Sequence, residues 1–239
     1  MKNALVTGGT RGIGLSIVKM LLNKGYFVTL TYSEDERSAI TCKNTLANYD
    51  GQFEILKVNQ GCKSEMQKLV SHLKIKGGIE CIICNAGRTI RKSLREIQNK
   101  EWEDIININL NSNVFLIRDL YDIISSNSRI VFIGSLMGIY PHGTSLAYGV
   151  SKASVHALAL NLVKCFEGTG TTVNVVAPGF VETEWQKDKP IEIRQSIYSK
   201  TAIKRFASVE EIANAVEFCV DNAFVNGSVI EVSGGYCFK

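Results

Sequence analysis

Short runs of apolar and β-branched residues recur along the whole chain, and stretches of helical period separate them. Ala4–Thr7, Phe27–Tyr32, Phe53–Val58, Cys81–Cys84, Ile130–Ile133, Val173–Ala177 and Val229–Val232 have the length and near-continuous apolarity of strands covered on both faces. Between them, Ile13, Ile17, Leu21 and Leu22 repeat at helical spacing and are followed by Gly25, a natural stop. Ser64–Leu73, Trp102–Ile124, Ala147–Phe166 and Val209–Val220 predict further helices. Strand–helix alternation kept up over a chain this long predicts right-handed βαβ units, hence an α/β fold with a Rossmann-type, doubly wound, seven-stranded parallel sheet and helices on both faces. Ligands of such sheets bind beyond the carboxyl ends of the strands, so the residues just after each strand are the ones to examine.

Composition narrows the possibilities. The chain has 239 residues and only three prolines, with no Pro/Gly/Ser-rich linker, which predicts one domain, 1–239. No signal-peptide pattern opens it, and no apolar run approaches the roughly 20 residues of a membrane span. The seven cysteines are scattered; Cys81 and Cys84 form C-x-x-C inside a buried strand, whereas a redox dithiol opens a helix. They are expected to be inert core thiols in a reducing cytoplasm. A net charge of +4 without a Lys/Arg block gives no reason to expect a nucleic-acid partner, and no membrane partner or metal site is expected. Arg88–Lys92 is expected to be a solvated loop, with an anionic partner as the other possibility.

Two motifs carry chemistry. After the first strand comes Thr7-Gly8-Gly9-Thr10-Arg11-Gly12-Ile13-Gly14, leading into a helix. Glycines there permit a tight turn and let a pyrophosphate approach the positive end of the helix. The second is Tyr148-Gly149-Val150-Ser151-Lys152, whose phenol and ammonium lie four residues apart on one helical face. A phenol titrates near 10, so acid–base work near neutrality calls for a shift of about 3 units, and a neighbouring ammonium favours the phenolate. Y-x-x-x-K recurs by chance in unrelated chains, but here it follows Asn85-Ala86-Gly87 after the fourth strand, Asn109, and Ser135 after the fifth.

The order T-G-x-x-x-G-x-G, N-A-G, N, S, Y-x-x-x-K, P-G, matched from Leu5 to Gly235, resembles the short-chain dehydrogenase/reductase family. The resemblance implies a catalytic group of Asn109, Ser135, Tyr148 and Lys152. Tyr148 would exchange a proton with the carbonyl oxygen, and Ser135 would hydrogen-bond that oxygen. Lys152 would bind the nicotinamide ribose and depress the tyrosine pKa, and Asn109 would hold a relay water. Asn107 lies close enough to be confused with Asn109; the spacing from Trp102 favours Asn109. Cofactor contacts would come from Gly8, Thr10, Arg11, Gly12, Ile13 and Gly14, from Tyr32 and Ser33 after the second strand, and from Val58 and Asn59 after the third. Asn85, Ala86, Gly87, Tyr148, Lys152, Pro178, Gly179, Val181 and Thr183 would complete the set. Glu184–Lys204 sits where the family keeps a mobile substrate lid.

Arg11 inside the turn and the absence of a carboxylate at Tyr32 favour NADP(H), since NAD(H) enzymes place an acid at the end of the second strand. Glu34, Asp35 and Glu36 follow closely, which keeps NAD(H) open. The family's Asp after the third strand is missing; Lys57-Val58-Asn59-Gln60 stands there, and Asn59 is its possible substitute. Within the family, Thr172–Thr183 and Lys204–Val216 are most like 3-oxoacyl-(acyl-carrier-protein) reductases. That likeness implies a carrier-bound or small-molecule oxo substrate and a homotetramer or homodimer; sugar, alcohol and small-ketone dehydrogenases share the same segments. For an acidic carrier, Arg129 is available, with Lys164 and Arg88–Lys92 as further cations.

Overall fold

The computed structural model describes residues 1–142 and 145–236. Its strands are β1 (Lys2–Val6), β2 (Tyr26–Tyr32), β3 (Phe53–Lys57), β4 (Ile79–Cys84), β5 (Ile124–Ile133), β6 (Thr172–Pro178) and β7 (Val229–Val232). They form one seven-stranded sheet in the order β3-β2-β1-β4-β5-β6-β7, every neighbouring pair parallel. The order reverses between β1 and β4, which opens a crevice at their carboxyl ends.

The helices are α1 (Gly12–Asn23), α2 (Glu36–Thr45), α3 (Lys63–Lys76), α4 (Asn99–Ile106), α5 (Ser112–Leu120), α6 (Leu146–Cys165), α7 (Glu184–Lys187), α8 (Ile191–Ser199) and α9 (Val209–Asp221). Alternation along each strand divides the core in two. Ala4, Val6, Val131, Ile133 and Val176 join α1 and α9 on one face. Leu5, Ile130, Phe132, Val173 and Val175 join α3, α5 and α6 on the other. Buried Cys81 and Cys84 lie within this double layer, and burial pushes both thiols up to about 12, as inert core groups require.

Three elements differ from the sequence reading. The helix expected over Trp102–Ile124 is α4, a π-turn over Asn107–Asn111 and α5, and Ile124 already belongs to β5. Ser112 Oγ and Asn113 Nδ2 donate to the carbonyls of Ile108 and Asn109, both at 2.7 Å, which stabilises the widened turn. β5 begins six residues before its apolar stretch because Ser125–Arg129 is polar yet pinned: Ser128 Oγ donates to Ile79 O at 2.9 Å. Helix α2 has no apolar periodicity and buries only Ala39 and Cys42; its start is set by Asp35, which accepts from Ser38 N–H at 2.9 Å.

Between β6 and α9 the chain leaves and returns through a parallel bridge of Val181 to Ala207, clamped by Glu182 N–H to Ala207 O at 2.8 Å. The excursion carries α7 and α8, with Trp185, Ile191 and Ile193 exposed. Arg194 anchors it, pairing with Glu182 and lying 4.6 Å from the Phe206 ring centre.

Candidate active site

The turn after β1 is shaped by backbone rather than by side chains. Gly8 and Gly12 have φ of +65° and +54°, a region that other residues enter at a cost. A Cβ on Gly14 would stand 2.1 Å from Gly8 O, so only glycine fits. Thr7 Oγ1 accepts from the N–H groups of Asn85 and Ala86, both at 3.0 Å. Asn85 Nδ2 donates back to Thr7 O and Gly8 O at 3.0 and 2.9 Å. The loops on the two sides of the switch point are thereby one unit. Helix α1 opens on Arg11 with no side-chain cap and no acid in its first turn, so none of its own side chains offsets its positive end. Thr183 lies over the turn: a Cβ on Gly12 would meet its Cγ2 at 3.5 Å.

These features fit a dinucleotide. The uncapped helix end suits a pyrophosphate, and the glycines leave the backbone approachable. Farther out, Val58 N–H donates to Tyr32 O at 2.7 Å, which brings Tyr32, Ser33, Val58 and Asn59 together at the ends of β2 and β3. Asn59 Oδ1 accepts from Gly61 N–H at 2.9 Å, so the oxygen expected to replace the missing Asp is already engaged. Arg11 Nη1 rests on Asp35 Oδ2 at 2.8 Å. The charge at the end of the second strand is therefore a matched pair rather than a lone cation.

The second half of the site stands on β5 and α6. Ser135 directly follows Ile133-Gly134; its Oγ accepts from Met137 N–H at 3.1 Å, which leaves its own proton to donate. Tyr148 and Lys152 lie one helical turn apart, with Nζ 5.7 Å from the phenol ring centre. Lys152 is 5% exposed and donates to Ile133 O at 2.7 Å. Burial lowers its pKa to about 8, with the Cys84 thiol opposing slightly. The Tyr148 phenol is raised by burial, against which hydrogen bonding with Ser135 works. The direction is opposite to the expected depression of the phenol by Lys152, because desolvation disfavours the charged form of both groups.

Asn109, fully buried in the π-turn, is clasped by its neighbours. Its Oδ1 accepts from Arg88 N–H at 2.8 Å, and its Nδ2 donates to Arg88 O and Ser151 Oγ, both at 2.9 Å. Ser151 in turn donates to Tyr148 O at 2.8 Å. A Cβ on Gly87 would lie 3.3 Å from Asn109 Oδ1 and 3.4 Å from Lys152 Nζ, so the glycine lets these two groups face one another. Asn107 lies apart, donating to Gly61 O at 3.1 Å.

The arrangement brings a hydroxyl donor, a phenol and an ammonium together beside a dinucleotide-shaped turn. Pro178 and Gly179 close the same edge, where a Cβ on Gly179 would press 2.9 Å from Ser233 Cα. Two polar residues escaped the sequence reading. Ser151 links Asn109 to the tyrosine backbone. His156, one turn beyond Lys152, accepts from Ser135 N–H at 3.3 Å. The repeat Tyr148, Lys152, His156 at four-residue steps was the available signal. Among the described residues no cluster of His, Cys, Asp and Glu suits a metal, and no helix is long and apolar enough to cross a membrane.

Residues 2–193 match the family model described as short chain dehydrogenase. The 3-oxoacyl-(acyl-carrier-protein) reductase FabG of Escherichia coli is 31% identical over 238 residues, covering 98% of this chain and 96% of that protein. The FabG of Haemophilus influenzae is 33% identical, with 98% and 97% covered. Among solved structures, a short-chain dehydrogenase/reductase from Serratia marcescens superposes with a TM-score of 0.92 at 26% identity, covering 98% of this chain and 97% of that one.

Proposed function

The chain belongs to the short-chain dehydrogenase family, whose members are NAD(P)-dependent oxidoreductases acting between CH–OH and C=O, and we propose that it reduces a 3-oxoacyl thioester to the 3-hydroxyacyl thioester with NADPH. The observation that carries the reading is the convergence of Ser135, Tyr148 and Lys152 at the carboxyl end of β5, beside the glycine turn.

The cofactor supplies the hydride. The chain's part is to hold the carbonyl and manage the proton. Ser135 donates its hydroxyl proton to the carbonyl oxygen, since Met137 N–H already occupies one of its lone pairs. That bond strengthens as negative charge grows there. Tyr148 delivers its proton to the same oxygen; a phenol held high by burial is fully protonated at neutral pH and ready as the acid. Lys152, anchored at Ile133 O, is cationic below about pH 8; it would hold the ribose hydroxyls and return a proton to the phenol, being itself replenished from the gap beside Gly87 and Asn109. The uncapped end of α1 takes the pyrophosphate. Arg11 exchanges Asp35 for a 2′-phosphate, because both members of that pair are solvent-exposed and such pairs hold weakly. Tyr32, Ser33, Val58 and Asn59 border the adenosine, and Pro178, Val181 and Thr183 the nicotinamide side. The excursion over α7 and α8 acts as the substrate lid.

The loops over this edge also offer cations. His142 is held below its usual range by burial, then by Lys200 and Arg91; Lys189 is lowered by burial, then by Arg91 and Arg194. The lowered His142 stays neutral, and Arg91, Lys189 and Lys200 are the cations proposed to meet the phosphate of a carrier-bound or coenzyme-bound thioester. Arg129 is held in place, its Nε and Nη1 donating to the carbonyls of Val220, Asn127, Ser128 and Gly170. These bonds hold Nε and Nη1 in the fold and leave the charge without a carboxylate; the second reading is a free small oxo-compound. Phe115, Val150 and Leu160, exposed on α5 and α6, are the faces proposed to assemble a homotetramer or homodimer.

The test follows NADPH absorbance with an acetoacetyl thioester, with a Tyr148→Phe control. Consumption by the wild type that falls by roughly 100-fold or more in the control supports both chemistry and substrate. A wild type that binds NADPH yet is silent with thioesters and active on small ketones overturns the thioester assignment.

A further inference from the structure

Helix α6 presents a third polar side chain to the end of β5, and the dehydrogenase chemistry above does not use it. His156 is 7% exposed, and its Nε2 faces the backbone N–H of Ser135 at 3.3 Å. We propose that His156 is a positioning residue: by accepting the Ser135 N–H it fixes, through the backbone, where Ser135 Oγ meets the carbonyl oxygen. This rests on the role assigned to Ser135 above.

The end of β5 is gripped at three successive residues. Ile133 O accepts from Lys152 at 2.7 Å, Gly134 N–H donates to Val176 O at 2.8 Å, and Ser135 N–H donates to His156. Gly134 N–H faces β6, so the next N–H, that of Ser135, faces the β4 side, where the ladder pairs residues only as far as Phe132 with Cys84. Ser135 N–H therefore points past the sheet and would be a buried orphan without the imidazole.

The surroundings are cut to admit that ring. A Cβ on Gly134 would stand 2.2 Å from His156 Nε2 and 2.6 Å from Val175 Cγ1. A Cβ on Gly138 would stand 2.9 Å from His156 Cε1 and 2.8 Å from the backbone of Lys152 and Ala153. Glycine on either side of Ser135 is the condition for the imidazole to reach it. Accepting at Nε2 also fixes the tautomer, with the proton on Nδ1. Burial, and then the charge on Lys152, keep the ring neutral down to about pH 4, so it stays an acceptor through the working range. Catalytic groups displaced by about 1 Å lose on the order of 100-fold in rate, which makes a backbone anchor at Ser135 consequential.

Four variants test the assignment: His156→Leu, His156→Gln, Ser135→Ala and the Leu/Ala double. His156→Leu should lower kcat at least tenfold while NADPH affinity, read by fluorescence titration, stays within twofold. His156→Gln, whose amide oxygen replaces the Nε2 acceptor, should recover most of that loss. In the Ser135→Ala background, His156→Leu should cost no further rate. Equal loss in the Gln and Leu variants, or a full additional loss in the double variant, overturns the proposal. A Ser135→Ala variant with wild-type kcat instead sinks the role of Ser135 itself. Nitrogen-15 NMR of the cofactor-free wild type supplies an independent arm that survives a misfolded variant. An Nδ1–H tautomer, neutral at pH 6, is expected; an Nε2–H tautomer overturns the assignment.

Discussion

The two ends of the edge that receives the dinucleotide are built on opposite terms. At the β5–α6 end, Ser135, Lys152 and His156 are all at most 8% exposed, and each is tied to a backbone group across the β5–α6 join. At the β1–β2 end, the Arg11 and Asp35 side chains are 51% and 38% exposed, and the only bond between them is a surface ion pair, Asp35 also capping α2 at Ser38. Burial makes the first end stiff and costly to disturb, since each polar group has lost its water and depends on one partner. Exposure makes the second end exchangeable, because water and salt compete with the pair at every moment. On the proposed function, one end sets geometry for proton transfer, and the other trades one anion for another.

The contrast can be broken most severely at Ser135. Ser135→Ala should lower kcat by about 100- to 1000-fold with NADPH affinity unchanged, the magnitude of losing one preorganised donor to a developing oxyanion. Steady-state kinetics beside a cofactor titration separates the two; a loss confined to cofactor affinity would erase the distinction between the ends.

Next is the response to acid. His156 is lowered from 6.5 to about 4, mainly by burial, so the unfolded chain binds more protons than the folded one across that interval. Stability is therefore lost as pH falls from about 6.5 to 4, by roughly 3 kcal/mol from this group. Urea midpoints at pH 7 and pH 4.5 should show the drop in the wild type and a shallower one in His156→Leu. Parallel acid limbs in the two proteins would remove the buried imidazole from the account.

The smallest effect belongs to the exposed end. Asp35→Asn keeps the cap on Ser38 N–H while freeing Arg11. NADPH affinity should tighten by about fivefold or less, the worth of a surface pair, with NADH affinity unmoved. Fluorescence titration with both cofactors reads this directly; weaker NADPH binding would make Asp35 a ligand rather than a competitor.

These ends were also unequally legible. The glycine turn, Asn85-Ala86-Gly87 and Tyr148 with Lys152 could be located from sequence because the proposed chemistry demands particular residue types at fixed spacing. The parallel sheet was legible because strands covered on both faces must be apolar throughout. His156 was not, because its partner is a backbone N–H 21 residues away that any residue would supply. Nor was the Arg11–Asp35 pair, since three acids stand at Glu34–Glu36 and only the start of α2 decides which one turns back. The anchoring of Arg129 was hidden for a related reason: the four carbonyls it meets lie on strand ends that come together only in the folded sheet. The join between α4 and α5 was read as one helix because the repeat Ile105, Ile106, Ile108, Leu110 carries no sign of a widened turn.

That π-turn constrains how the chain can vary in length. Upstream of it Ile105 is buried, and downstream Leu116, Ile117 and Leu120 enter the core beside β4 and β5. Each residue of a helix turns the remainder by about 100°. Deleting one residue within Asn107–Asn111 to restore a regular helix would therefore swing either Asn109 off Arg88 or the leucines of α5 out of the core. The segment therefore fixes spacing as well as spelling: Asn109 must keep its amide, and no letter can be dropped around it.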